Sequence, residues 1–265
     1  MPSHTAPPDD DVLWARGLTY AHDGSPALQG ITLGIRTGEI AAVTGPRGSG
    51  KSTLLSCLSG RLLPDEGEVW FNSVPVHTLG LHSRERLRRE RFGWVGSEPH
   101  LVPELNAWEN AALPLLLSGV SNRTARRAAH EWLERLDVGD CARKRPSALL
   151  QAQRQRVAIA RSLVHSPAVL FADEPTAPLH QTDRLQALRT LTTAARSHGI
   201  TVVLTTHGPA AGTTGRDDPP SPPGARSAEG EHSFVDRTIT LVDGRRTHST
   251  TARETEGSTA CSLSV

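Results

Sequence analysis

The sequence predicts an α/β fold with a mostly parallel sheet, an antiparallel β subdomain near the N-terminus and an inserted helical subdomain. Three observations carry that reading. The apolar run Ile40 to Val43 leads into Gly-Pro-Arg-Gly-Ser-Gly-Lys-Ser-Thr at positions 45 to 53, and Leu54, Leu55 and Leu58 follow at helical spacing, which reads as strand, tight loop, helix. Strands and helices then alternate through the second half of the chain, as in a parallel sheet covered by helices. The run Ala168-Val-Leu-Phe-Ala172 ends on Asp173-Glu174, and ligands of open α/β sheets lie at the carboxyl ends of such strands.

Taken in order, residues 1 to 11 are rich in Pro and Asp and are expected to form a disordered lead-in to a folded domain over 12 to 247. Short apolar alternations over Val12 to Tyr20 and Ala27 to Ile35 read as strands joined by the turn Asp23-Gly24-Ser25-Pro26. Pro64-Asp65-Glu66-Gly67 separates the helix after the glycine loop from a further strand, Glu68 to Asn72. The block Arg84 to Arg91 reads as a solvated helix face; Glu85 and Glu90 interrupt it and no aromatic interleaving follows, which argues against nucleic-acid binding. Helical periodicity over 104 to 138 places Trp108, Leu113, Leu115, Trp132, Leu133 and Leu136 in a core, within a helical subdomain at 98 to 153. Another helix covers 154 to 165, and a strand over Thr201 to Thr205 ends at Thr206-His207. Between 208 and 232 the composition collapses into Gly, Pro, Ser and charge, the mark of a disordered loop insertion. Order resumes over Phe234 to Val242 with a turn at Asp243-Gly244, and the Ser/Thr-rich tail over 248 to 265 is expected to be mobile.

Composition narrows the class. With 29 Lys plus Arg against 28 Asp plus Glu, no global charge steers the chain toward nucleic acid or an anionic membrane surface. Cys57, Cys141 and Cys261 are far apart and lack metal-ligand spacing, which suits a reducing compartment without a disulfide framework. No apolar run approaches the roughly 18 residues a membrane helix needs, and the N-terminus has no signal-like apolar core, so a soluble, cytoplasmic protein is expected.

The loop at 45 to 53 carries the first chemistry. Gly45, Gly48 and Gly50 let the backbone curl so that successive N–H groups converge on an anion, helped by the dipole of the following helix. Lys51 is placed to reach β and γ phosphates, and the Ser52 hydroxyl to hold a magnesium ion that bridges them. A chance glycine-rich turn is the weaker explanation, because strand and helix flank the loop. The acidic strand end then supplies a second half. Asp173 is placed to hold magnesium and Glu174 to polarise an attacking water.

Together, Gly45 to Thr53, Arg156 to Leu163, Ala168 to Thr176 and Thr205 to His207 resemble the ATP-binding cassette family, the nucleotide-binding subunits of membrane transporters, over approximately residues 12 to 247. The segment from Glu109 to Val120 resembles the subgroup that works with lipoprotein-release, macrolide-export and peptide-export permeases. The resemblance implies a P-loop NTPase core, and ATP and magnesium as ligands. It implies that Tyr20 stacks on adenine and that Gly45, Pro46, Arg47, Gly48, Ser49, Gly50, Lys51, Ser52 and Thr53 cradle the phosphates. Ser52 and Asp173 serve the metal, Glu174 is the catalytic base and His207 the γ-phosphate switch. Tyr20 packing in its sheet and His207 capping a strand end are the plainer alternatives. A membrane permease and a second ATP-binding subunit are the implied partners, at the cytoplasmic face of the cell membrane.

Three family positions depart from the pattern. The signature segment Leu-Ser-Gly-Gly-Gln falls on Leu149-Leu150-Gln151-Ala152-Gln153, so Leu150 offers no hydroxyl and Gln151 and Ala152 add Cβ atoms where a partner's phosphate approaches. Ser97 stands where the family has a glutamine, and His180 where it has an aspartate. The half of the site within the chain is therefore expected to be competent and the half offered to a partner impaired. The leading expectation is an ATPase subunit of an efflux-type transporter, turning over slowly or with a partner, as a weak homodimer or a heterodimer. The alternative is a regulatory or vestigial ATP-binding module with little hydrolysis. No guanine-recognition motif Asn-Lys-x-Asp and no long coiled-coil insertion occur, which disfavours a GTPase or a DNA-repair ATPase.

Overall fold

The structure, a computed structural model, describes residues 10–177, 179, 181–206 and 234–251, with the side chains of Gln181 and Thr182 left aside. His180, His207, the proposed insertion at 208 to 232 and most of the N-terminal and C-terminal extensions lie outside the described residues.

The main sheet forms around β3 (Ile40–Thr44), whose five residues are all buried. A strand without a polar face needs cover on both sides, and a parallel sheet supplies it. The sheet order is β10-β9-β3-β8-β7-β6, built from β6 (Phe92–Val95), β7 (Val169–Asp173), β8 (Thr201–Thr206), β9 (Arg237–Val242) and β10 (Arg245–Thr251). Every pair in it is parallel except β9 with β10. The register sets Val43 and Asp173 on either side of Thr205, so the carboxyl ends of β3, β7 and β8 finish in one row.

Side-chain alternation divides the core into two layers. Ile40, Ala42, Leu170, Ala172, Val202 and Leu204 face a helical layer, whereas Ala41, Val43, Val169, Phe171 and Val203 face the other side. The helical layer comprises α3 (Ala107–Leu117), α4 (Asn122–Arg135), α5 (Gln151–Leu163) and α6 (Gln181–Ser197). On the other face lie α1 (Lys51–Leu58) and an antiparallel sheet of order β2-β1-β4-β5, formed by β1 (Asp11–His22), β2 (Ser25–Arg36), β4 (Glu66–Phe71) and β5 (Val74–Pro75). The arginine-rich α2 (Leu81–Arg91) buries none of its residues. Among the described residues no helix is long and apolar enough to cross a membrane.

Two expectations need correction. Trp132, Leu133 and Leu136 are buried, but Trp108, Leu113 and Leu115 are only half-buried; the inward face of α3 is Ala107, Asn110, Ala111 and Ala112. Close approach of α3 to α5 selects small side chains, and Asn110 uses its amide to bind the carbonyls of Val102, Leu105 and Asn106. The second correction concerns the tail. The strand pairing of β10 with β9 continues to Thr251, four residues into the segment expected to be mobile. The two-residue turn Asp243-Gly244 has positive φ at both positions, 48° and 72°, a hairpin geometry that fixes the register of the exposed strand that follows.

Candidate active site

The loop between β3 and α1 is shaped by two glycines in particular. Gly45 has φ 150° and Gly50 has φ 95°, conformations that L side chains seldom adopt. A Cβ at Gly45 would run into the carbonyl oxygen of Leu241, and one at Gly50 into that of Ala27. The loop thus turns tightly between the two sheets, and its backbone is left to face a cavity of about 460 Å³ lined by Arg47, Gly48, Lys51, Ser52, Thr53 and Glu174. Ser49 Oγ, at the base of the loop, is buried with no hydrogen-bond partner among the described residues.

Lys51 opens α1 and is only 4 % exposed. Its Nζ donates to the carbonyl oxygens of Gly45 and Pro46 at 2.8 and 2.9 Å. Burial pushes its pKa down, while the charges of Glu174 and Asp173 push it back up. The ammonium is held by the loop's own carbonyls and feels the charge of both acids.

Across from the loop, Asp173 ends β7. Its Oδ1 accepts from Ser52 Oγ at 3.0 Å and from Thr205 Oγ1 at 2.8 Å. Thr205 Oγ1 in turn accepts from the Glu174 N–H at 2.8 Å. Glu174 itself sits at φ 49°, a left-handed conformation unusual for a non-glycine residue. Such strain, about 1 to 3 kcal/mol, persists where neighbours over-determine it. Thr205 is that neighbour for the backbone, and the Glu174 side chain lines the same cavity.

Thr205 gives a sharp expectation. In Thr205→Val the Glu174 N–H loses its acceptor and Asp173 loses a donor, in a position only 1 % exposed. Urea denaturation is expected to show a loss of about 1 to 3 kcal/mol, the range for orphaning a buried donor. Turnover is expected to fall by about tenfold as Glu174 loosens. Parent-like stability and rate would show that Thr205 positions neither acid.

The other expected site residues distribute unevenly. His22, not Tyr20, lines the cleft; its Nε2 lies 3.2 Å from Thr53 Oγ1, and Tyr20 packs edge-on against it at 4.8 Å. The two aromatic rings share a face of β1 at period two, which was the available signal for His22. Pro46 contributes its carbonyl to Lys51 and does not line the cavity. Ser97 lines a second cavity behind Asp173. Leu150 caps α5 without a side-chain acceptor and is 72 % exposed; Gln153 Oε1 reaches back to the helix start and accepts from the Leu150 N–H at 3.0 Å. Gln151 and Ala152 form the first turn of that helix, away from the chain's own cleft.

A family profile described as ABC transporter matches residues 28–177, which takes in the loop, the uncapped start of α5 and the Asp173-Glu174 strand end. The match covers more than half of the chain. This chain belongs to the ABC transporter family. Among its relatives is the lipoprotein-releasing system ATP-binding protein LolD of Paramagnetospirillum magneticum, 39 % identical over 194 residues, 73 % of this chain and 86 % of that one. The ABC transporter ATP-binding protein YtrE of Bacillus subtilis is 34 % identical over 182 residues, 69 % of this chain and 79 % of that one. A dimeric ATP-binding cassette, MJ0796, in a post-hydrolysis state bound to ADP and Pi, is similar with a TM-score of 0.76 and 29 % identity over 90 % of this chain and 98 % of its own. CbiO1 of Clostridium perfringens, part of the ABC transporter complex cbiONQ, gives 0.78 and 26 % over 94 % and 92 %. The chain is thus an ATP-binding subunit of the ABC transporter family, similar to the lipoprotein-release ATP-binding proteins.

Proposed function

We propose that this ABC subunit hydrolyses ATP in the cleft between the loop at 45–53 and Glu174, docked on a membrane permease at the cytoplasmic face of the membrane, and that the work done is export. The observation that carries the proposal is the hydrogen-bond chain from Ser52 through Asp173 and Thr205 to Glu174, which couples the phosphate loop to a carboxylate facing the same cavity. Backbone N–H groups of Gly48 to Thr53 and the start of α1 bind the phosphates, Lys51 adds its charge, and His22 with Tyr20 behind it borders the base and sugar end. Glu174 accepts a proton from the attacking water, and His207 serves as the γ-phosphate switch.

Ser52 Oγ and Asp173 Oδ1 form a pair of hard oxygen donors 3.0 Å apart. That set fits magnesium, which takes one or two protein oxygens and fills its octahedron with water and substrate phosphate. When bound, magnesium neutralises charge developing on the phosphate oxygens.

Two surfaces support the partners. An apolar cleft of about 220 Å³ between β6, α3 and α5, bordered by Trp94, Leu113, Pro114 and the 68 % exposed Leu117, offers a seat for a permease segment. The start of α5, carrying Leu150 in place of a hydroxyl, is the face offered to a second ABC cassette. A homodimer sets this apolar residue over both nucleotides, whereas a partner with a hydroxyl cap and glycines at those positions completes one better site. The purified chain is expected to turn over ATP slowly alone and about a hundredfold faster when mixed with such a partner, the lower end of the effect of one anion-stabilising donor. Brisk turnover by the chain alone would overturn the impaired half-site.

A further inference from the structure

The Ser52–Asp173 hydrogen bond is a partition between two cavities. Ser52 lines the nucleotide cleft, and Asp173 lines a second space of about 530 Å³, with Arg61, Trp94, Ser97, Glu98 and Arg161 among its other walls. Water occupies about 30 Å³ per molecule in the liquid, so this second space holds far more than a stray solvent molecule. A short side chain, Ser97, stands on its wall.

Arg61 follows α1 and reaches this space with its guanidinium over the Trp94 ring, 4.2 Å from the ring centroid. Stacking uses the face of the guanidinium plane and leaves its edge, with the N–H fork, free to bind. Among the described residues no hydrogen bond or ion pair holds that edge. Arg161, on another wall, is already committed, donating to the carbonyls of Pro99 and His100 at 2.7 and 2.9 Å. Arg88, near Arg61, donates to the Gly60 carbonyl at 3.0 Å.

Among the described residues the nearby carboxylates form no ion pair with Arg61, although Asp173 shares its cavity. Asp173 Oδ1 is occupied by the hydroxyls of Ser52 and Thr205. Glu98 is 79 % exposed and lies 3.7 Å from His100. Arg61 is exposed at the rim of this space, and partial burial, then the charge of Arg88, push its pKa below its ordinary value while Asp173 raises it. A planar fork with free donors, at the edge of a roomy cavity, suits a tetrahedral oxoanion bound through two oxygens.

We propose that this second cavity is a binding site for inorganic phosphate, the product that leaves the nucleotide cleft past Asp173 and is held by Arg61 before release. The proposal rests on the ATPase reading: hydrolysis of ATP by water yields ADP and phosphate, and ADP retained on the loop blocks the way back. Arg61 binds product and takes no part in bond cleavage.

The test uses the full chain saturated with ADP and titrated with inorganic phosphate, followed by phosphorus NMR line broadening and by equilibrium dialysis with radiolabelled phosphate. Arg61→Gln is expected to weaken phosphate binding at least about tenfold, the scale of one lost charge-assisted pair, with ADP affinity unchanged. Arg61→Lys, a point charge without a fork, is expected to fall between the two. Ser97→Leu, which narrows the cavity from another part of its wall and leaves Arg61 in place, is expected to weaken phosphate binding as well, so the inference does not depend on one variant folding. Phosphate binding that survives Arg61→Gln and Ser97→Leu, or that is displaced stoichiometrically by ADP, overturns it. Failure of the parent chain to bind ADP overturns this inference and the ATPase reading together, whereas ADP binding with no Arg61-dependent phosphate site overturns this inference alone.

Discussion

Glu174→Gln is expected to lower steady-state ATP turnover by about 10² to 10⁴-fold, the range that a positioned general base contributes, while ATP affinity stays within about threefold of the parent. That fall corresponds to about 2.7 to 5.4 kcal/mol of barrier. The substitution is nearly isosteric and keeps the features that position the residue. The Glu174 N–H still donates to Thr205 Oγ1, and the left-handed backbone at φ 49° is retained. What disappears is a group able to take a proton from water. Lys51 loses one of the two carboxylates that raise its pKa but keeps the other, Asp173, so the phosphate-binding charge remains. With binding intact and hydrolysis blocked, ATP is expected to accumulate on a closed dimer, visible as a nucleotide-dependent shift in size-exclusion chromatography. Turnover by Glu174→Gln within about threefold of the parent would assign the proton transfer elsewhere, and would favour a regulatory module whose residual hydrolysis does not use this carboxylate.

The same residues show what a linear reading can reach. The loop at 45 to 53 and the Asp173-Glu174 strand end are local patterns: each encodes its backbone shape and its chemistry within a few consecutive residues, so both were legible. Thr205 was visible as the end of a strand and the first residue of the Thr205 to His207 segment, with no role for its hydroxyl. Its role depends on the pairing of Asp173 with Thr205 across β7 and β8, a register between segments more than thirty positions apart that hydropathy does not specify. Arg61 belongs to the same class, because its stack on Trp94 joins the end of α1 to β6. The helical subdomain misled in another way. Large apolar residues were expected inside α3, yet close helix packing favours Ala107, Ala111 and Ala112 there and leaves Leu113 and Leu115 at the margin. The last strand, β10, exposes all seven of its residues, so it has no burial pattern to read; backbone pairing with β9 alone makes it a strand.

Lys51→Met is expected to remove ATP binding at concentrations that saturate the parent, and a thermal-shift measurement reads this most directly. A ligand at one hundred times its Kd stabilises the folded state by about 2.7 kcal/mol. At about 2 to 4 °C per kcal/mol for a domain of this size, that is a rise in Tm of about 5 to 11 °C. In Lys51→Met the same ATP concentration is expected to give almost none of it. Methionine matches the length and apolar stem of lysine, so the start of α1 keeps its packing, and Gly45 and Gly50 still shape the loop. The missing element is the ammonium that now donates to the Gly45 and Pro46 carbonyls and is positioned to turn to phosphate. The nucleotide-free protein supplies an independent control. Burial lowers the folded-state pKa of Lys51, so between that lowered value and the unfolded value of about 10.4 the unfolded chain binds more protons. In that alkaline window the Lys51 contribution makes stability rise with pH; below it the penalty for burying the charge is present in full. Lys51→Met is expected to lose this component of the pH dependence along with the ATP response. Retention of the ATP-induced rise in Tm would place the phosphates away from the loop, whereas loss of the rise with an unchanged pH profile would show that Lys51 binds phosphate without being desolvated in the free protein.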